Sequence, residues 1–167
     1  SLDKMNSLKD GQAPKTLFIT CSDSRVCPNK LTDTDVGELF VIRNAGNSLP
    51  TPNSMQGDAD KATLEFAVKV VNVEEIIICG HADCGAMNAL CSGVDNKELP
   101  LISQYFERLE PLKAKIEDKG LGLNEAIKLN VQMQIDNLMS YDFVKSRVEG
   151  GELSIERWIY NIGNGDV

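Results

Sequence analysis

The sequence predicts an α/β domain: a mostly parallel central sheet flanked by helices, with a late strand near the sheet edge. Three observations carry that prediction. Three brief runs, Leu17-Phe18-Ile19, Leu39-Phe40-Val41-Ile42 and Ile76-Ile77-Ile78, are aliphatic or aromatic without strict alternation. That is the pattern of strands buried on both faces of a parallel sheet. Between the second and third runs, Leu64, Ala67, Val68 and Val71 recur at helical spacing, which supplies the crossover that parallel strands need. Finally, the first run ends at Cys21-Ser22-Asp23-Ser24-Arg25 and the third at Cys79-Gly80-His81. Open α/β sheets place their chemistry just beyond the carboxyl ends of strands.

The later elements follow in order. Pro100 to about Lys119 reads as a charged helical segment with Leu101, Tyr105, Leu109 and Leu112 on one side. Asn124 is placed to cap a further helix running to about Ser140, with Ile127, Val131 and Leu138 inward. Gly150-Gly151 breaks the chain before Leu153 to Ile162, the expected edge strand. No internal repeat, low-complexity tract or long linker interrupts this order, and 167 residues suit a single domain spanning 1–167.

Charge narrows the function classes. Seventeen Lys and Arg against 25 Asp and Glu leave a net charge of −8, with no basic stripe to neutralise phosphates. Nucleic acid and anionic membranes are therefore excluded as expected partners, whereas a small neutral substrate is not. No apolar run approaches the roughly 18–20 residues that span a bilayer, and no basic, then apolar, leader opens the chain. The expectation is a cytoplasmic protein, or an organellar one whose N-terminus has been trimmed. The five cysteines are an odd count without a secretory signal, which favours reduced thiols, some of them metal ligands. Cys79, Cys91 and Cys27 are expected to be buried structural thiols.

The remaining cysteines carry the chemistry. His81-Ala82-Asp83-Cys84 sets two ligand types about one turn apart where a loop enters a helix at Gly85. Cys21, at the end of another parallel strand, is in reach if the two strands are neighbours. Zinc takes thiolate and imidazole, and a catalytic zinc keeps three protein ligands and an open fourth position. Cys27 is the spare fourth donor, but it stands six residues from Cys21 and just before Pro28, badly placed to close the site. His81 is the single histidine. Asp23 and Arg25 alternate on the loop after Cys21. On an open surface such a pair contributes little; beside a metal, Arg25 would fix the carboxylate and Asp23 would accept a hydrogen bond from the reacting oxygen.

These stretches resemble a known family. Cys21-Ser22-Asp23-Ser24-Arg25-Val26, then Phe40-Val41-Ile42-Arg43-Asn44-Ala45-Gly46-Asn47, then Cys79-Gly80-His81-Ala82-Asp83-Cys84-Gly85 look like the three signature stretches of β-class carbonic anhydrases, in order and in separation. The resemblance runs from about Gln12 to the C-terminus. It implies a mostly parallel sheet flanked by helices, a dimer as the smallest unit, one zinc per chain, and hydration of CO2 to bicarbonate and a proton. By the same resemblance, Gln12 corresponds to a substrate-orienting glutamine that serves the partner subunit. Phe40 and Phe66 match positions lining the CO2 pocket, and Gly85 matches a pocket glycine. Phe18 stands where a second, inhibitory bicarbonate site would need a tryptophan, so the always-open type is expected. The chain has a shorter N-terminal arm than the family's and an early stop at Val167, both expected to reflect trimming. Two other readings stay open: a carbonyl sulfide or carbon disulfide hydrolase of the same fold, and a zinc-bearing binding or sensing protein without turnover. The last would be expected to show a fourth protein ligand or to lack the Asp23–Arg25 pair.

Overall fold

The computed structural model describes residues 2–167. Strands β1 (Thr16–Cys21), β2 (Leu39–Asn44), β3 (Glu75–His81) and β4 (Ser154–Tyr160) form one sheet in the order β2-β1-β3-β4, every pair parallel. Register decides what this sheet can do. Cys21 stands opposite Asn44 on one side, and Thr20 opposite Cys79 on the other. The carboxyl ends of β1 and β3, carrying Cys21 and His81, therefore finish side by side.

The two central strands are buried on both faces, as their composition predicts. The second run is not: in β2 only Ile42 is fully buried, and Val41 is exposed. β2 is an edge strand, with a neighbouring strand on one side only. The late strand lies at the opposite edge, as expected, and ends at Tyr160 rather than Ile162.

Helix α1 (Leu2–Ser7) precedes β1, and α2 (Pro28–Thr32) follows it. The crossover is α3 (Asp58–Phe66), which runs straight into a π-helical turn over Ala67–Val71 and buries Leu64, Ala67 and Val68. Asn72, at φ 62°, then turns the chain into β3. Helix α4 (Gly85–Ser92) starts at the end of the ligand loop. The Pro100–Lys119 segment divides into α5 (Pro100–Phe106), a 3-10 turn (Glu107–Leu109) and α6 (Glu110–Lys119). The turn shifts the helical phase, so Phe106, Leu109, Leu112 and Ile116 are buried, while Leu101, expected inward, is exposed. Helix α7 (Leu123–Met139) has Gly122 at its N-cap; Asn124 lies inside the first turn and does not cap it. Helix α8 (Asp142–Glu149) completes the set.

The larger core joins the sheet face of Leu17, Ile19, Ile76 and Ile78 to α3, α7 and α8. Each fully buried aliphatic side chain there contributes roughly 1.5–3 kcal/mol relative to exposure. The opposite face is smaller, built on Phe18, Ile77 and Cys79 with Trp158 against them; the Phe18 and Trp158 rings meet edge to face at 5.9 Å. Gly80 brings α7 close to β3, because a Cβ there would lie 2.7 Å from Val131 Cγ2. Cys79 is a buried thiol as expected, but Cys27 and Cys91 are exposed: one sits on a surface loop, the other on the outer face of α4. Among the described residues no helix is long and apolar enough to cross a membrane.

Candidate metal centre

Three elements converge on one point. Cys21 is the last residue of β1, His81 the last of β3, and Cys84 the N-cap of α4. Asp83, in the left-handed region at φ 53°, tightens the loop so that Cys84 turns back towards His81. The donor atoms of Cys21, His81 and Cys84 all lie within 4.8 Å of one another, and all three residues are buried. That spread suits one tetrahedral ion with bonds of about 2.0–2.3 Å.

The state of His81 tests whether a metal belongs there. Its Nδ1 is 2.9 Å from the carbonyl oxygen of Ala82. A carbonyl only accepts, so Nδ1 carries a proton, which leaves Nε2 as the nitrogen through which this ring would bind a metal. Nε2 is buried and has no hydrogen-bond partner. An unsatisfied buried polar atom costs about 1–3 kcal/mol, and here it faces the sulfurs of Cys21 and Cys84. The two thiols act on each other: the hydrogen bond between them draws the Cys21 thiol down and pushes Cys84 up, burial adding to the rise of Cys84. The backbone N–H of Gly46 also donates to Cys21 Sγ, at 3.4 Å. Two sulfurs and one neutral imidazole, with no fourth protein donor in the group, make a zinc-type set with an open position.

Asp23 stands beside that position without occupying it. Its Oδ2 is 3.8 Å from His81 Nε2. Arg25 grips both carboxylate oxygens, Nε donating to Oδ1 at 3.0 Å and Nη2 to Oδ2 at 2.8 Å, while the Arg25 backbone N–H donates to Oδ1 at 2.9 Å. Those hydrogen bonds hold the Asp23 carboxyl down at about 2, against the opposing pull of burial. Arg25 also reaches the other ligand loop, donating from Nη1 to Asp83 Oδ2 at 3.1 Å and from Nη2 to the Asp83 carbonyl at 3.0 Å. One guanidinium thus fixes the carboxylate and ties together the loops that carry the candidate ligands.

Two further residues of the Phe40–Asn47 stretch, Arg43 and Gly46, belong to the same cluster. Arg43 donates to the carbonyls of Cys21, Asp23 and Val26 at 2.8–3.0 Å, pinning the backbone on both sides of Asp23. Gly46, at φ 78°, aims its N–H at Cys21. The available signals were a cation at the end of an apolar strand and a glycine in a polar turn.

The other expected site residues divide. Gly85 opens α4 beside Cys84, and a Cβ there would meet nothing within 4 Å, which leaves open space at the site. Phe40 and Phe66 stack with centroids 6.1 Å apart, but not at this chain's metal cluster. Phe40 pairs with Leu17, four residues before Cys21, or about 13 Å along the strand. Gln12 is exposed on the segment leading into β1, beyond the opposite end of the strand from Cys21. The structure brings Cys21, His81, Cys84, Asp23, Arg25 and Gly85 together and leaves Gln12, Phe40 and Phe66 apart from them. Phe18 is wholly buried on the sheet face away from Cys21.

Comparison with known proteins assigns the family. The profile of the carbonic anhydrase family matches residues 16–167. A carbonic anhydrase of Synechococcus elongatus is 37% identical over 172 residues, covering 99% of this chain and 63% of that protein; the present chain thus spans less than two thirds of that relative. One from Helicobacter pylori is 40% identical, with 96% of this chain and 78% of that one covered. The solved structure of the β-carbonic anhydrase CcaA superimposes with a TM-score of 0.93 at 38% identity, over 98% of this chain and 82% of its own. By sequence and by fold, this chain belongs to the β-carbonic anhydrase family.

Proposed function

We propose that this protein hydrates CO2 to bicarbonate at a zinc ion held by Cys21, His81 and Cys84. The observation that supports it most is the bare, buried Nε2 of His81, facing two thiols with a carboxylate fixed nearby. Zinc with three protein ligands supplies Lewis acidity that lowers the pKa of water towards neutrality, a property for which carbonic anhydrases are the standard illustration. Asp23 remains ionised throughout the neutral range and offers its carboxylate as an acceptor that orients the attacking water. Arg25 holds Asp23 off the metal, keeping the fourth position open for that water. The carbonyls gripped by Arg43 keep Asp23 and Cys21 in fixed relation. The catalytic residues are accordingly Asp23 and Arg25, with Gly85 leaving room for substrate.

Gln12, Phe40 and Phe66 lie far from their own chain's ligands, which suits service to the site of a second copy: the glutamine to orient substrate, the stacked rings to wall an apolar pocket for a small neutral gas. The working unit is then a homodimer or a larger homo-oligomer. Two exposed free thiols, Cys27 and Cys91, suit a reducing compartment such as the cytoplasm.

Turnover of CO2, carbonyl sulfide and carbon disulfide by the zinc-loaded protein, assayed side by side, tests the substrate. The proposal expects CO2 to be converted fastest. Faster turnover of either sulfur compound would reassign the enzyme as a hydrolase, and no turnover of any of the three would make it a binding protein.

A further inference from the structure

Helix α7 carries three amides on its inward side, Asn130, Gln134 and Asn137, and two of them are wholly buried among aliphatic neighbours. Buried amides are retained only where their hydrogen bonds are met, and here each bond can be followed. Asn137 donates to the Leu49 carbonyl at 2.9 Å and to Gln134 Oε1 at 3.3 Å. Gln134 Oε1 also accepts the Leu49 backbone N–H at 2.7 Å, and Gln134 Nε2 donates to Asn130 Oδ1 at 2.8 Å. Asn130 Nδ2 then donates to the Gly46 carbonyl at 2.9 Å. Both ends of this ladder are backbone groups of fixed polarity, a donating N–H at Leu49 and an accepting C=O at Gly46. The orientation of each amide is therefore determined.

The ladder ends on the residue whose N–H donates to Cys21 Sγ. Gly46 has no freedom to be replaced: it sits at φ 78°, and a Cβ would lie 3.0 Å from Met87 Cε. The same loop is held on its other side by Tyr105, whose hydroxyl donates to the Ala45 carbonyl at 2.7 Å.

We propose that Asn130 and Gln134 are positioning residues for the metal centre: their amide ladder fixes the Gly46 carbonyl, on the far side of the same Cα as the N–H that donates to the Cys21 sulfur, and by fixing that turn sets the geometry and strength of metal binding. The inference rests on Cys21 being a ligand. Partners that orient ligands in this way typically change metal affinity by about 10–100-fold when removed.

The test uses the 167-residue chain in four forms: wild type, Asn130→Leu, Gln134→Met, and Val144→Ala as a core lesion that removes none of the ladder's hydrogen bonds. Zinc affinity is measured by competition with a chromophoric chelator, and each form is also loaded with cobalt(II) for its thiolate charge-transfer and d–d absorption. Both ladder variants are expected to bind zinc about 10-fold or more weakly and to shift the cobalt bands, while Val144→Ala, though less stable, keeps wild-type affinity and spectrum. Should Asn130→Leu fail to fold, Gln134→Met, one bond further from Gly46, decides alone. Wild-type zinc affinity and an unchanged cobalt spectrum in the folded ladder variants would overturn the proposal, as would an equal loss in Val144→Ala. A wild-type chain that takes up no stoichiometric zinc would overturn the metal reading itself, and the inference with it.

Discussion

His81 has one ring nitrogen committed to a neighbouring carbonyl and the other bare among sulfurs, and Asp23 is gripped from two sides by Arg25. Both side chains are held in single states, and each has a measurable consequence. Replacing Arg25 by alanine frees Asp23 to swing the short distance to the metal. The Arg25→Ala protein is expected to keep its zinc while losing activity by about 10–100-fold; near wild-type turnover would reduce the pair to a surface contact. The second consequence concerns the proton released at each turnover. Histidine is the side chain best matched to carry it near pH 7, but the chain has one histidine, and both of its nitrogens are occupied when metal is bound. Asp23, held at about 2, is too acidic to relay it. We therefore expect kcat at saturating CO2 to rise with imidazole concentration at fixed pH and ionic strength, with kcat/KM nearly constant. A kcat independent of buffer between about 1 and 50 mM would reveal an internal relay.

At the scale of elements, the site depends on how closely α7 lies against β3. Gly80, next to His81, is the point of closest approach, with Val131 Cγ2 only 2.7 Å from where a Cβ would stand. Gly80→Ala is expected to destabilise the metal-free, reduced protein by about 1–3 kcal/mol in urea unfolding; unchanged stability would mean that the helix is free to move away. The elements also show what the sequence made legible. Strands β1 and β3 could be read because burial on both faces writes an unbroken apolar run, and the ligands could be read because they sit at the ends of those runs. β2 carries a similar run yet is an edge strand, since composition does not say which strand lacks a neighbour. Leu101 continues the helical spacing to Leu109 and Leu112, but the 3-10 turn between them rotates it out to solvent. Asn130 and Gln134 carry no signal in the local sequence; the role proposed for them depends on a loop 84 residues away for the Asn130–Gly46 bond, a contact no local pattern records.

The whole molecule places the two sets of proposed site residues at different ends of the sheet. Ligands and the Asp23–Arg25 pair lie at the carboxyl end, while Gln12 precedes β1 and Phe40 pairs with Leu17. If one copy completes the other's site, two inactive variants should rescue each other. Gln12→Ala and Cys84→Ser chains, unfolded and refolded together in equal amounts, should form hybrids with one complete site. Random pairing makes half the dimers hybrid, with one working site in two, so about a quarter of wild-type activity is expected to return. No recovery despite confirmed hybrid formation would place Gln12 in its own chain's site.

The central claim is that Cys21, His81 and Cys84 together hold the metal on which the activity depends. Elemental analysis of zinc and stopped-flow CO2 hydration, made on the same preparations of wild type and Cys84→Ser, test it most directly. The wild type should carry one zinc per chain and hydrate CO2, and Cys84→Ser should lose zinc and activity together. A Cys84→Ser protein that retained stoichiometric zinc and wild-type turnover would contradict it.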